Sequence, residues 1–232
     1  MIARLVPLAR LAVALLLPVA LASCILAPGK FTSTLRIDAD RRFAFSYVGE
    51  VYAEEGDKAL GGGLTAKDHD EATKDPATKR AEADARNRAV AAALAREAGY
   101  RRVEYLGEGK FMIDYAITGR LDHVFVWPYN IDAEVLFPFV AIELRQGGLV
   151  RVKAPAFGNE GGKSAPGMPD MGQAMASRLD GIFTLDTDAE IVSQNNEDGA
   201  INADGRRTIR WKATPLSRTA PAAVLKLAPP VS

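Results

Sequence analysis

The sequence predicts an α+β domain, with a mainly antiparallel sheet of about eight strands and one long helix packed against it. Apolar and polar residues alternate with a period of two in much of the chain after residue 30, which is typical of half-buried strands. Residues 77–98 are instead rich in Ala, Arg and Glu, which favour a helix. Turn sequences with Gly or Asp separate the alternating segments, as in hairpins.

The first 23 residues have the parts of an export signal. These are a basic segment, an apolar segment of about ten residues and small residues before a cysteine: Arg4 and Arg10, Leu11–Ala20, and Ala22-Ser23-Cys24. The apolar segment is shorter than the roughly 20 residues that span a bilayer. An uncleaved anchor helix is the alternative, because no charge lies between Arg10 and Lys30, but Pro18 weakens such a helix.

Leu21-Ala22-Ser23-Cys24 resembles the lipobox of bacterial lipoproteins. The resemblance implies that residues 1–23 are removed and that Cys24 receives lipid and becomes the new N-terminus. Cys24 is the only cysteine of the chain, and lipidation accounts for an odd cysteine in an exported protein. Ile25 follows it in place of Asp, a pattern that in enterobacterial lipoproteins favours the periplasmic face of the outer membrane over the inner membrane.

Removal of residues 1–23 leaves 209 of the 232 residues, enough for one domain with a full core. We expect a lipidated N-terminus and short linker at 24–29, a single domain at 30–228, and a long flexible loop within it at 156–177. The chain has 29 basic and 29 acidic residues, so loss of Arg4 and Arg10 leaves a net charge of −2. This balance argues against nucleic-acid binding and against a polybasic grip on anionic lipid.

The strands follow from the alternation, beginning with a hairpin of Phe31–Ile37 and a second strand from Phe43 to Val51. The helix at 77–98 ends before Gly99, which is well placed as its C′ residue. Val135–Leu144 is nearly all apolar and predicts a central strand covered on both faces, although Pro138 indicates a bulge or an edge. Further strands are predicted at 103–105, 111–117, 149–154, 183–191, 208–212 and 224–227, and a short helix at 170–177.

Near the C-terminus an alternating strand and an Asn-containing turn are followed by Asp204-Gly205 and Ile209-Arg210-Trp211. This pattern resembles the end of mycobacterial LppM-type lipoproteins, which also begin with a lipobox followed closely by a β-hairpin. The resemblance covers about 50 residues and implies a mixed α/β domain at a membrane surface that binds lipid headgroups or glycolipids. It implies no binding residue at a particular position.

Phe125, Trp127 and Tyr129 form an aromatic cluster between predicted strands. Trp and Tyr suit a membrane interface or a contact with sugar or lipid, so these three residues are the candidate ligand or membrane contact. The alternative is that the cluster caps the core.

Two other groups of residues have spacings found in metal sites. Asp186, Asp188, Glu190 and Glu197 match positions 1, 3, 5 and 12 of a calcium loop, but Ile191 stands where that loop needs glycine, so we expect a solvated acidic edge. Met168, Met171 and Met175 could share one helical face and bind Cu(I), but methionines more often serve in packing or partner contact.

No pattern for catalysis or for a cofactor emerges. His69 and His123 lack the spacing of a zinc site, the chain has no Gly-x-Ser-x-Gly motif, and Gly61-Gly62-Gly63 lacks the Lys-Ser/Thr of a phosphate loop. We therefore expect no metal, no cofactor and no enzymatic activity. The leading hypothesis is a membrane-anchored periplasmic lipoprotein that binds a lipid, glycolipid or envelope component. An interaction protein for an envelope assembly and an envelope hydrolase are the alternatives, and an apolar groove would favour the first of the three.

Overall fold

The computed structural model describes residues 24–55, 75–129, 138–159 and 177–228. Several predictions lie outside these ranges: the export signal at 1–23, the site at His69, the three methionines, the short helix from Asp170, and most of the loop at 156–177.

Twelve strands lie within the described residues. They are β1 (Cys24–Ile37), β2 (Arg42–Glu55), β3 (Tyr100–Gly107), β4 (Lys110–Arg120), β5 (Phe125–Trp127), β6 (Val140–Arg145), β7 (Leu149–Lys153), β8 (Asp180–Thr187), β9 (Glu190–Gln194), β10 (Ile201–Ala203), β11 (Arg206–Ala213) and β12 (Ala222–Lys226). A seven-stranded sheet has the order β10-β11-β8-β1-β2-β4-β3, and a five-stranded sheet has the order β5-β6-β7-β12-β9. Neighbouring strands are antiparallel except for β1 and β8, which run parallel.

The predicted class, α+β with a mainly antiparallel sheet, is confirmed, but the described residues contain twelve strands in two sheets. The prediction of about eight strands is wrong for two reasons. β5 and β10 have three residues each, too few for a periodic pattern to show. The strand predicted at 183–191 is two strands in different sheets, because the chain turns between them at Asp188 and Ala189.

The helix α1 (Pro76–Leu94) begins at an N-cap aspartate, as the sequence chemistry favours. The Asp75 Oδ1 atom accepts hydrogen bonds from the amides of Ala77 (2.8 Å) and Thr78 (3.0 Å). The helix ends at Leu94, earlier than predicted. Gly99 is not its C′ residue; its φ of +92° lets the backbone pass the ring of Tyr115, which a Cβ would approach to 2.5 Å.

Helix α1 packs against β3 through Asn87, Ala91 and Leu94, which are its buried residues. The Tyr105 hydroxyl on β3 accepts a hydrogen bond from the Asn87 side chain (3.4 Å) and donates one to Asp84. The predicted placement of the helix against a sheet is therefore confirmed, and polar contacts supplement the thin apolar stripe.

The space between the two sheets is filled by aromatic rings. Tyr47 on β2 is fully buried, and its ring lies 5.3 Å from that of Phe31, 4.7 Å from that of Trp127 and 5.8 Å from that of Phe139. The Tyr47 hydroxyl donates to the backbone oxygen of Glu50 (2.7 Å), which satisfies its one polar atom. The rings of the two sheets therefore pack against one another in one continuous core.

Two segments that the sequence predicts to be irregular contain residues with regular structure. Residues 24–29, predicted as a linker, are the first part of β1, where Cys24 lies opposite Glu55 in the ladder with β2. Phe157, at the start of the predicted loop 156–177, is fully buried and stacks on Phe31 at 4.3 Å between ring centroids. The alternation that predicts strands does not extend to residues 24–29 or to Phe157, although both have partners in the fold.

The central strand predicted at Val135–Leu144 is also different in the structure. β6 begins at Val140, after Pro138, and its buried and half-buried residues alternate. One face of β6 is therefore buried, whereas the prediction placed both faces in the core.

Candidate ligand-binding groove beside β1

The predicted aromatic cluster does not form one exposed surface. Trp127 is 2% exposed and packs among core rings, and Phe125 lies 5.1 Å from Phe43 and 5.6 Å from Phe45 between ring centroids. Tyr129, in contrast, is 62% exposed. The prediction of an exposed aromatic contact is wrong for Trp127, because β5 pairs with β6 and turns this side chain toward the seven-stranded sheet.

The acidic residues near the end of β8 bind an arginine. The Arg206 guanidinium lies 2.5 Å from the Asp186 carboxylate, 3.0 Å from that of Asp38 and 3.6 Å from that of Asp188. The Asp188 carboxylate also accepts a hydrogen bond from the Ala39 amide (2.6 Å). The predicted acidic edge is therefore wrong for the shared strand face, because the chain leaves the sheet after β8 and Asp186 and Asp188 join two turns and β11. Asp188 is nevertheless exposed to solvent, as predicted.

The other candidate metal ligands of the sequence do not come together among the described residues. Glu190 and Glu197 are exposed, as is His123. Within the described ranges no group of three His, Cys, Asp or Glu side chains is placed to hold a metal ion.

An open groove of about 480 Å³ lies on the seven-stranded sheet beside Lys30, in the middle of β1. Its lining includes strand residues from β1 and β2 and segments that precede β8 and follow β11. The lining residues are Lys30, Glu50, Tyr52, Ser177, Arg178, Leu179, Asp180, Thr214 and Pro215.

The strand register brings these residues together. Lys30 lies opposite Asp180 across the parallel β1–β8 pair. The β2 residues Glu50 and Tyr52 share a face because side chains on a strand alternate. Val51, between them, is buried, so Glu50 and Tyr52 point away from the core toward the groove.

Glu50 is the centre of a hydrogen-bond network in the floor of the groove. Its carboxylate accepts from the Lys110 ammonium (2.6 Å), the Tyr52 hydroxyl (3.2 Å) and the Lys30 amide (3.3 Å). Burial by itself would raise the pKa of Glu50, but these hydrogen bonds outweigh burial and lower the pKa below its usual value. The hydrogen bond from Lys110 in turn raises the pKa of that ammonium group. Both side chains are therefore held in their charged forms.

Tyr52 provides an aromatic surface beside cations. The Arg178 guanidinium lies 4.6 Å from the centre of the Tyr52 ring, and the Lys110 ammonium lies 5.8 Å from it. Lys30 is exposed at the same groove. Cations, an aromatic ring and a hydroxyl are groups that bind the phosphate and polar portions of lipids or glycolipids.

Sequence reasoning missed most of this groove. The alternation of β2 was a usable signal, since it already places Glu50 on the outward face. Arg178 follows a long irregular segment and Pro215 follows a strand end, so no periodic pattern linked either residue to β1. The parallel β1–β8 pairing that brings them together is a long-range contact.

No protein-family model matches the chain, and no curated protein matches it. Among solved structures, the chain is similar to the folded domain of the Mycobacterium tuberculosis protein LppM, determined by NMR. The identity is 13%, the match covers 90% of this chain and 95% of that one, and the TM-score is 0.36. This is a distant likeness to a mycobacterial lipoprotein domain. In the described part of the chain, no helix is long and apolar enough to cross a membrane.

Proposed function

We propose that this protein is a non-enzymatic lipoprotein of the bacterial envelope, anchored through lipid on Cys24, that binds a lipid, glycolipid or other envelope component bearing an anionic group. The periplasmic face of the outer membrane is its proposed location. The observation that carries the proposal is the groove lined by Lys30, Tyr52 and Arg178. This groove lies beside β1, the strand that starts at Cys24. Lys30 is six residues from Cys24, so the groove lies within about 20 Å of the anchor along β1.

The closed core determines which kind of ligand fits. Among the described residues, aromatic rings from the two sheets contact one another directly in the space where an acyl chain would have to lie. The groove is open and has charged groups from β1, β2 and the segment before β8. It therefore suits a polar headgroup or sugar better than a whole lipid tail.

The charged state of Glu50 does not suit an acid catalyst in the groove. Its hydrogen bonds outweigh burial and lower its pKa. A hydrolase that uses a carboxylic acid to protonate its leaving group needs the opposite shift. Glu50 therefore does not suit that role.

Titration with a short-chain lipid tests binding at the groove. The mature lipidated protein in neutral micelles is titrated with anionic dihexanoylphosphatidylglycerol and, separately, with zwitterionic dihexanoylphosphatidylcholine, and NMR follows the amides around Tyr52. We expect shifts there with the anionic lipid, and Lys30→Gln should weaken binding about fivefold, since a cation near anionic lipid contributes about 1 kcal/mol.

Arg151→Gln is the matched control, because Arg151 is an exposed cation on β7 of the other sheet. Equal affinity of the wild type and Lys30→Gln would contradict binding at this groove. The anchor has its own test: the protein should incorporate radiolabelled palmitate, and Cys24→Ala should abolish both the label and membrane fractionation.

A second candidate function is an interaction protein for an envelope assembly. On the outer face of the seven-stranded sheet, Thr32 pairs with Val48 on one side and Ile182 on the other, and these two apolar residues are 50% and 39% exposed. Such a row is the kind of flat surface that contacts a protein. If this face is the functional one, Val48→Lys with Ile182→Lys should abolish a chemical crosslink to an envelope protein and leave lipid titration unchanged.

A further inference from the structure

Leu216 is held outward at the tip of a tight turn. It is 88% exposed, in a β-turn closed by a hydrogen bond from the Ser217 amide to the Thr214 carbonyl (2.9 Å). The Thr214 amide donates to the Ser217 hydroxyl (3.0 Å), and that hydroxyl donates to the Lys212 carbonyl (3.1 Å). Single exposed apolar residues are common on protein surfaces, so the significance of Leu216 depends on its position.

The strand register places this turn at the anchored end of the sheet. Phe31 on β1, Gly181 on β8 and Ala213 on β11 lie side by side. β11 runs antiparallel to β8 and therefore continues past Ala213 in the direction of Cys24. Thr214 and Pro215 line the groove, so Leu216 stands at its rim.

Charges surround Leu216 on this flank. Lys212 and Arg218 are exposed on either side of the turn, and Lys30 lies at the groove. Asp180 is the carboxylate at the same end of β8. A leucine among cations is the combination that binds an anionic bilayer surface, even though the whole chain has no net positive charge.

The opposite flank of β1 has a different charge. Leu106 on β3 is 49% exposed. Its height along the sheet is about that of Val51 on β2, because its neighbour Tyr105 pairs with Phe111 on β4, and Phe111 pairs with Val51. The exposed charges near it in sequence have both signs: Glu104 and Glu108 are acidic, and Glu104 pairs with the exposed Arg102. The turn at Leu216 thus has two cations beside it, whereas the charges beside Leu106 are mixed.

We propose that the domain leans toward the bilayer on its β11 flank, so that Leu216 enters the membrane interface and Lys212 and Arg218 contact anionic headgroups. This inference rests on the proposed anchoring through Cys24. If β1 stood perpendicular to the membrane, the turn would lie roughly 15 Å above Cys24. That height exceeds the thickness of the headgroup layer, about 5–7 Å. β11 is two strands, or about 10 Å, from β1, so leaning toward that flank lowers Leu216 to the interface.

Spin labelling tests the lean. Since Cys24 is the only native cysteine and is acylated under the proposal, Leu216→Cys and Leu106→Cys each supply one free thiol for a nitroxide. The lipidated full-length mature variants are placed in phosphatidylethanolamine–phosphatidylglycerol vesicles. We expect the label at 216 to lose accessibility to a water-soluble nickel chelate and to gain accessibility to oxygen, while the label at 106 stays accessible to the chelate.

Adding Lys212→Glu and Arg218→Glu to Leu216→Cys should return the label at 216 to water. The inference is overturned if the protein floats with vesicles while the label at 216 is as accessible to the chelate as the label at 106, or if the label at 106 is the one protected. Protein that does not float with vesicles overturns the anchoring proposal, and the lean with it. Short-chain lipid binding at the groove is measured in micelles and is independent of both outcomes.

Discussion

The ring of Phe31 on β1 occupies the space that a side chain on the neighbouring strand would need at Gly181. A Cβ atom at Gly181 would lie 2.4 Å from the Phe31 Cδ1 and Cε1 atoms. The same ring stacks on Phe157 and Tyr47, so it cannot move aside freely. The parallel β1–β8 pair therefore depends on a glycine that a strand pattern alone does not require.

Gly181→Ala should lower the free energy of unfolding by about 1–3 kcal/mol, because it overpacks the core against Phe31. Urea denaturation measures the change. Thr32→Ala, at an exposed position on β1, is the control and should change the stability by less than about 0.5 kcal/mol. Equal stability of Gly181→Ala and the wild type would show that β1 and β8 are not packed as described.

Phe157→Ala should cost about 3–5 kcal/mol of stability, since it removes a fully buried ring from the core. Thermal and urea unfolding both report the loss. Tyr129→Ala removes an aromatic ring that is 62% exposed, so it should change the stability by no more than about 0.5 kcal/mol. A small effect of Phe157→Ala would instead support the sequence-based prediction that this residue begins a flexible loop.

Glu50→Gln should lower stability at neutral pH by about 1 kcal/mol, because it replaces a charge-assisted hydrogen bond to Lys110 that is partly exposed to water. The folded-state pKa of Glu50 is lowered, so its contribution is present above the unfolded-state value, near 4.5, and is lost as the pH falls through the folded-state pKa. The difference between the wild type and Glu50→Gln should therefore shrink below pH 4.5.

Unfolding curves from pH 7 to pH 3 measure this convergence. Glu104→Gln is the control: Glu104 pairs with Arg102 but is 45% exposed, so its replacement should change stability little at any pH. A difference between the wild type and Glu50→Gln that stays constant with pH would mean that Glu50 is not the ionised centre of the network.

Arg206→Gln should destabilise the protein by about 2 kcal/mol, because it leaves the buried Asp38 and its neighbour Asp186 without their shared cation. Hydrogen exchange should also quicken at the amide of Ala39, which donates to the Asp188 carboxylate. Arg210→Gln, at an exposed position on β11, should change neither quantity. Unchanged exchange at Ala39 in Arg206→Gln would show that the arginine does not hold the two turns together.

The sequence by itself determined the features that depend on near neighbours in the chain. The hairpin of β1 and β2 was predictable because its inward residues, such as Phe45 and Tyr47, alternate with outward ones. The body of α1 was predictable from helix-forming residues, and Asp75 in front of Pro76 marks its start. The lipid anchor at Cys24 remains a prediction from the lipobox alone.

Only the tertiary structure decided which residues share a core or a surface. Phe157 and Trp127 lie in segments with no strand periodicity, and distant aromatic partners bury them. The groove joins Lys30 to Arg178 through the parallel β1–β8 pair, across about 150 residues of chain. Local alternation reports the face of a strand on which a residue lies, but not the strand that pairs with it, and that pairing places the groove and Leu216 on the Cys24 side of the sheet.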